Sequence, residues 1–219
     1  MSRTPDHLQM TPFYGFFHYF IMGLHSAFFR GEVAGTENIP AEGPFLLAAN
    51  HASFLDPPLA GCHVARQMRF FSRKTLWENR LIGWWLDSVE TIPVDRDSGD
   101  VGAIRKVLQA LQENRSILLF PEGTRSPDGR LQKPKAGVGL MACKSGVPVV
   151  PCRLYGAHAA FGKGTRWPRI GTPISVVYGP PITAAEYDDP AAGKERYQLA
   201  SQRIFARIAA LPEPRHAVI

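Results

Sequence analysis

The stretch Pro44-Phe45-Leu46-Leu47-Ala48-Ala49-Asn50-His51 is apolar from Pro44 to Ala49 and turns polar at Asn50. A run this short, apolar at successive positions and not only alternate ones, reads as a strand buried on both faces. Ser116–Phe120, stopped by Pro121, repeats the pattern, and Val147–Leu154 and Pro173–Tyr178 read the same way. Met68–Ser72 and Val89–Val94 are further extended segments. Helical stretches alternate with them: Pro57–Ala65, Thr75–Leu86, one opened by Ser98 or Asp100 with Val101, Ile104, Leu108 and Leu111 on one side, Gly137–Lys144, and Ala191–Leu211. Asp56 before Pro57 and Pro58 has the pattern of an N-cap followed by a first helical turn. Short apolar strands alternating with helices predict an α/β fold with a largely parallel central sheet flanked by helices. In such sheets the loops leaving the carboxyl ends of the strands gather along one edge, where ligands bind. His51 follows one strand and Glu122–Arg125 follow another, so the two polar clusters are expected at a single cleft.

The chain has 219 residues, 45% hydrophobic and 20% charged, which suits one domain with an appendage and fits neither a disordered chain nor a multi-span membrane protein. Lys and Arg number 25 against 19 Asp and Glu, a formal charge of +6 that favours an anionic partner. The three cysteines, Cys62, Cys143 and Cys152, have no C-x-x-C spacing and suggest neither a disulfide framework nor a zinc site. A reduced, cytosol-facing setting follows.

Residues 1–30 are expected to form an N-terminal amphipathic, interfacial helical segment, and residues 31–219 the main domain. Between Pro12 and Phe29, aromatic residues are dense, but His18, His25 and Ser26 interrupt them, and the stretch falls short of the roughly 20 residues of a spanning helix. It has neither the basic start nor the small-residue cleavage site of a secretory signal. On a helix, Phe13, Phe17, Phe20, Leu24 and Phe28 fall near one face and the two histidines toward the other, which is an interfacial pattern. The competing expectation is a first helix packed on the domain core.

The first polar cluster is Asn50-His51-Ala52-Ser53-Phe54-Leu55-Asp56. Imidazole is the side chain best matched to proton transfer near neutrality, and a carboxylate on its second nitrogen fixes the tautomer and stabilises the imidazolium. The second is Phe120-Pro121-Glu122-Gly123-Thr124-Arg125-Ser126. There Gly123 permits close backbone approach, Thr124 and Ser126 offer hydroxyls, and Arg125 offers a planar fork suited to phosphate oxygens. By itself each cluster also fits a plain reading, a capped helix in the first case and a polar turn in the second.

Taken in order, His51 with Asp56, Ile92-Pro93-Val94-Asp95-Arg96, Phe120-Pro121-Glu122-Gly123-Thr124-Arg125 and Val147-Pro148-Val149-Val150-Pro151 resemble the four successive blocks of the glycerolipid acyltransferases. The subgroup they resemble most is the 1-acyl-glycerol-3-phosphate acyltransferases. The resemblance spans Val33–Gly179, and its first block, His-x4-Asp, and its third are the specific ones. It implies that His51 is a general base, that Asp56 orients it, and that Glu122, Gly123, Thr124 and Arg125 hold the glycerol phosphate of the acceptor. Arg96 assists with phosphate, and Arg73 or Lys74 can join it. Implied substrates are a lysophospholipid and an acyl thioester of coenzyme A or acyl carrier protein. No metal and no resident cofactor are implied, and the setting is the cytoplasmic face of a membrane, bound peripherally or monotopically. Two departures bear on the acceptor: Glu90 stands where many members have Gly, and Arg73-Lys74-Thr75-Leu76 stands where many have Lys-Lys-Glu-Leu. Glycerol 3-phosphate or another lyso-lipid is the alternative acceptor.

Other readings are weaker. A covalent route through Ser53 or Cys152 lacks a nucleophile-elbow sequence. A nucleic-acid binder would band its basic residues, which here are dispersed without a finger, homeodomain or ribonucleoprotein signature. A lipid-binding scaffold without activity would have no need of the His51–Asp56 pair.

Overall fold

A computed structural model describes residues 10–94 and 101–214. Its elements, in chain order, are α1 (Pro12–Phe28), β1 (Val33–Ala34), β2 (Leu46–Ala49), α2 (Asp56–Gly61), β3 (Met68–Arg69), β4 (Phe71–Arg73), α3 (Arg80–Ser88), β5 (Ile92–Val94), α4 (Val101–Gln112), β6 (Ser116–Leu119), α5 (Ala136–Ser145), β7 (Val149–Tyr155), α6 (Ala157–Phe161), β8 (Ser175–Tyr178), α7 (Ala184–Tyr187) and α8 (Arg196–Ala210). Six strands form one sheet in the order β1-β8-β7-β2-β6-β3, and β4 with β5 forms a separate parallel pair. Every neighbour in the large sheet is parallel except β7 and β8. The largely parallel sheet expected from the sequence is therefore present.

β2 lies at the heart of it, between β6 and β7. Leu46 registers with Ile117 and Val149, and Leu47 with Leu118 and Val150. Successive side chains leave a strand on opposite faces. Leu47 and Ala49 accordingly join one core with Val150, Cys152, Ile174 and Tyr178, while Leu46 and Ala48 join a second with Val149, Ala200, Ile204 and Ile208. Both faces are covered, which is why the stretch is apolar at every position. On the second face α5 and α8 pack backbone to backbone: a Cβ at Gly139 would lie 1.9 Å from the Tyr197 carbonyl oxygen.

Several boundaries differ from the sequence reading, each for a local reason. The expected strand Met68–Ser72 divides at Phe70, its first half pairing with β6 and its second with β5. The expected helix Thr75–Leu86 is a 3-10 turn over Lys74–Glu78 followed by α3, because the Asn79 side chain accepts from the amides of Leu81 and Ile82 and starts a new helix there. The last helix begins at Arg196, since Gly193 leaves helical geometry at φ 54. Asp56 is not the N-cap of α2; Leu55 holds that place, and the Asp56 carboxylate turns back into the preceding loop. The expected start of α4 at Ser98 or Asp100 lies outside the described residues.

α1 is packed on the domain through its polar side. The Thr11 side chain caps it, Pro12 opens its first turn, and the Tyr14 hydroxyl accepts from the Met68 amide. His18 and His25 are buried, and the His25 ring bridges the Ile174 carbonyl at 2.7 Å and His63 at 3.0 Å. His25 meets the requirement that a buried imidazole be hydrogen-bonded, whereas the buried Nδ1 of His18 has no hydrogen-bond partner among the described residues. Phe16, Tyr19, Phe20, Leu24 and Phe28 remain exposed, while Phe13 and Phe17 pack edge to face on Trp84 and Trp85 of α3 at 5.3 and 6.1 Å. No helix among the described residues is long and apolar enough to cross a membrane.

The histidine cluster makes stability depend on pH. Burial foremost, then the neighbouring His25 and His18, push the His63 pKa from 6.5 down to about 4, and burial lowers those of His18 and His25 as well. The unfolded chain then binds these protons more readily, so stability is fully present above pH 6.5 and is lost as the pH falls toward 4. Denaturant titrations across that window are expected to show the loss, with a flatter slope in His63→Gln; equal slopes in the two proteins would contradict the assignment.

Candidate active site

β2 and β6 are adjacent and parallel, so the loops that follow them emerge side by side. Asn50 prolongs the sheet by one residue: its side-chain amide donates to the Leu154 carbonyl and its oxygen accepts the Leu154 amide, which fixes the chain just before His51. The His51 carbonyl then accepts from the Ser126 amide at 2.7 Å, tying the two loops directly.

Within the first loop, His51 Nδ1 lies 2.9 Å from Asp56 Oδ2, and the same oxygen accepts the amides of Ala52 and Ser53, each at 2.6 Å. Asp56 is fully buried and His51 is 8% exposed. A carboxylate held by two backbone donors cannot rotate away, so it takes Nδ1–H and leaves Nε2 as the basic nitrogen. The Phe120 ring stacks on the imidazole at 4.0 Å and 18°, fixing its plane.

The second loop divides its labour. The resemblance places Glu122 among the residues that hold the glycerol phosphate of the acceptor. It is instead 2% exposed, with one oxygen accepting from the His51 amide at 2.7 Å and the other from the Gln132 amide at 2.8 Å. It therefore braces the two loops from beneath. Burial raises its pKa, and the two backbone bonds oppose that shift. Gly123 sits at φ +69 in the turn closed by its own amide on the Phe120 carbonyl, a conformation that favours glycine. Thr124 and Arg125 reach forward, and the Arg125 guanidinium lies 3.4 Å above the Phe54 ring.

His51, Thr124 and Arg125 line one cavity of ≈ 750 Å³. Its apolar wall comes from Phe17 and Ile21 of α1, Leu76 of the 3-10 turn, and Ile82, Trp85 and Leu86 of α3. The convergence expected from the order of strands is thus realised for His51 and Arg125. Lys74 is exposed and is not among the lining residues, whereas its neighbours Ser72 and Thr75 are. Arg96 and the Arg73 side chain lie outside the described residues.

One lining cation, Lys163, carries no motif and was missed by sequence reasoning. Its position follows from a contact invisible in the string. Ser53 pairs with Gly162 as an antiparallel bridge, the Ser53 hydroxyl donates to the Phe161 carbonyl at 2.8 Å, and the Phe54 and Phe161 rings lie 5.2 Å apart. These contacts clamp the segment carrying Lys163 onto the His51 loop.

A family model described as acyltransferase matches residues 30–155. The chain is 30% identical to a chloroplastic 1-acyl-sn-glycerol-3-phosphate acyltransferase of Brassica napus, over 78% of this chain and 52% of that protein. It is also 30% identical to the 1-acyl-sn-glycerol-3-phosphate acyltransferase of Bacillus subtilis (strain 168), over 65% of this chain and 73% of that protein. The chain spans about half the length of the plant relatives it matches. Among solved structures, the 1-acyl-sn-glycerophosphate acyltransferase PlsC from Thermotoga maritima superposes with a TM-score of 0.69 at 25% identity, covering 88% of this chain and 77% of that one. The matched residues 30–155 contain the His51–Asp56 pair, the Glu122 brace and Arg125, and on that match the chain belongs to the acyltransferase family.

Proposed function

We propose that this chain transfers a fatty acyl group from acyl-CoA or acyl carrier protein to the free hydroxyl of 1-acyl-glycerol 3-phosphate, giving phosphatidic acid. The observation that carries the reading is that a carboxylate-oriented imidazole and a guanidinium line one largely apolar cavity. His51 Nε2 takes the hydroxyl proton as the oxygen attacks the thioester carbonyl; the tetrahedral intermediate collapses, the C–S bond breaks, and the imidazolium returns the proton to the departing thiolate. Asp56 stabilises the imidazolium between those steps. The thioester supplies the activation, so the scheme calls on no metal and no resident cofactor.

Transfer is direct rather than through an acyl-enzyme. Ser53 is fully buried with its hydroxyl committed to the Phe161 carbonyl, and Cys152 is buried with its thiol pKa pushed far up by desolvation. Neither meets the needs of an activated nucleophile. The amides of His51, Ala52 and Ser53 are taken by Glu122 and Asp56, which leaves the charge on the oxyanion to donors of the second loop such as Thr124.

Arg125, joined by Lys163, holds the acceptor phosphate, and the apolar wall between α1 and α3 receives an acyl chain. The exposed aromatic face of α1 supports peripheral attachment at the cytoplasmic surface of a membrane, with residues 1–30 as the attaching segment and 31–219 as the catalytic domain.

Lipid mass spectrometry of purified protein given both carriers and a panel of acceptors tests the reading. Phosphatidate from lysophosphatidate, with little product from monoacylglycerol, is expected. Absence of product from every phosphate-bearing acceptor would overturn it. Arg125→Ala is expected to raise the lysophosphatidate KM by roughly ten- to a hundredfold, the size of a lost charge-assisted bond, with kcat changed far less. An unchanged KM would remove the phosphate role.

A further inference from the structure

We infer that the loop Arg166–Ile170 is a second membrane-contacting element that inserts Trp167 and Ile170 at an anionic bilayer surface, beside the aromatic face of α1. The proposal rests on the reading that the chain works at a lipid surface.

Both ends of the loop are pinned. The Thr165 amide and hydroxyl both bond the Gly162 carbonyl, the Arg169 amide bonds the Ala160 carbonyl, and the Gly171 amide bonds the Phe28 carbonyl at 2.7 Å. That last bond sets the loop directly against the end of α1, where the exposed face running through Phe20 and Leu24 finishes at Phe28. Between the pinned ends every residue from Arg166 to Gly171 is exposed, Trp167 by 74% and Ile170 by 68%.

A large indole on a pinned loop, facing water, is the arrangement found where one side is apolar and the other wet. Its flanks match an anionic surface in charge. Arg166 and Arg169 stand on either side of Trp167 and Lys163 precedes them, with no Asp or Glu from Lys163 to Gly171; across the fold Arg30 adds a cation and Glu32, beside Ser175, one carboxylate, so the loop itself carries a single sign. Lipid phosphates attract cations clustered beside an apolar anchor, which is the pairing of Arg166 and Arg169 with Trp167 and Ile170. The loop also begins next to Lys163, which lines the cavity. Seating the loop in the headgroup layer therefore brings the cavity mouth to the level from which an anionic lysophospholipid enters.

Co-sedimentation with vesicles of pure phosphatidylcholine, and of phosphatidylcholine mixed with phosphatidylglycerol, tests the inference without using catalysis. The intact chain is expected to bind the mixed vesicles more tightly. The double variant Arg166→Gln/Arg169→Gln should bind them roughly twenty-fivefold more weakly, from about fivefold per cation near an anionic surface, with little change on neutral vesicles. Trp167→Ser/Ile170→Ser should bind both kinds several-fold more weakly, and bromine-labelled acyl chains should quench wild-type fluorescence more than that of Trp167→Phe. Thermal melting equal to wild type establishes that the exposed-loop variants are folded. Wild-type binding that the loop variants retain in full would overturn the loop's role and leave the surface reading standing. A wild type that binds neither vesicle would overturn the surface reading and the loop with it.

Discussion

His51→Ala is expected to lower kcat for acyl transfer by at least about a hundredfold, with the acceptor KM within a few-fold of wild type and the melting temperature little changed. The expectation follows from what surrounds the ring. His51 Nδ1 is fixed on Asp56, Phe120 stacks on its face, and among the described residues His18 on α1 is the one other imidazole that lines the cavity. Removing the ring takes away the proton acceptor but not the backbone contacts of residue 51, whose amide and carbonyl hold the two loops together. Asp56→Asn is expected to fall in the same direction, because a neutral amide, even with its oxygen toward His51 Nδ1 and the amides of Ala52 and Ser53, stabilises the imidazolium less. A His51→Ala protein that retains most of its turnover would end the general-base assignment.

The second large effect is at Glu122. Glu122→Ala is expected to destabilise the protein by about 2–4 kcal/mol, since two charge-assisted bonds disappear and two backbone amides lose their acceptor, partly offset by relief of a buried carboxylate. For a chain of this size that corresponds to a melting temperature lower by roughly 5–15 °C. Turnover should fall as well, because the peptide carrying His51 is no longer held and displacements of about 1 Å at a catalytic group cost on the order of a hundredfold. Glu122→Gln keeps one acceptor and should fall between. The result separates two roles for the same residue: a substrate-holding carboxylate would leave melting unchanged and raise the acceptor KM, whereas a brace lowers melting and kcat together.

The largely parallel sheet and the meeting of the His51 and Arg125 loops could be read from the string because both follow from short apolar runs alternating with helices, whereas the order of the strands in the sheet could not. Runs such as Leu46–Ala49 announce a doubly covered strand, and the loops after parallel neighbours must leave at one edge. For Glu122 the sequence places a carboxylate in a polar loop but does not say which way it points; only the fold brings the His51 and Gln132 amides to its two oxygens. Asp56 was read as capping the helix ahead of it, and Leu55 takes that place because the carboxylate satisfies the loop behind. Lys163 was invisible for a different reason. It enters the cavity through the Ser53–Gly162 bridge, a contact between segments far apart in the chain that carries no periodicity. On α1 the aromatic stripe was legible, but its histidines had no evident purpose until the Ile174 carbonyl and His63 were placed beside His25.

On the proposed mechanism one cavity divides the labour, the imidazole serving turnover and the guanidinium serving acceptor binding. Calorimetric titration of a lysophosphatidate analogue lacking the free hydroxyl, in detergent micelles, reads the binding half alone. His51→Ala is expected to bind the analogue as wild type does and Arg125→Ala at least about tenfold more weakly. Equal binding by Arg125→Ala and wild type, or loss of binding in a folded His51→Ala protein, would contradict it.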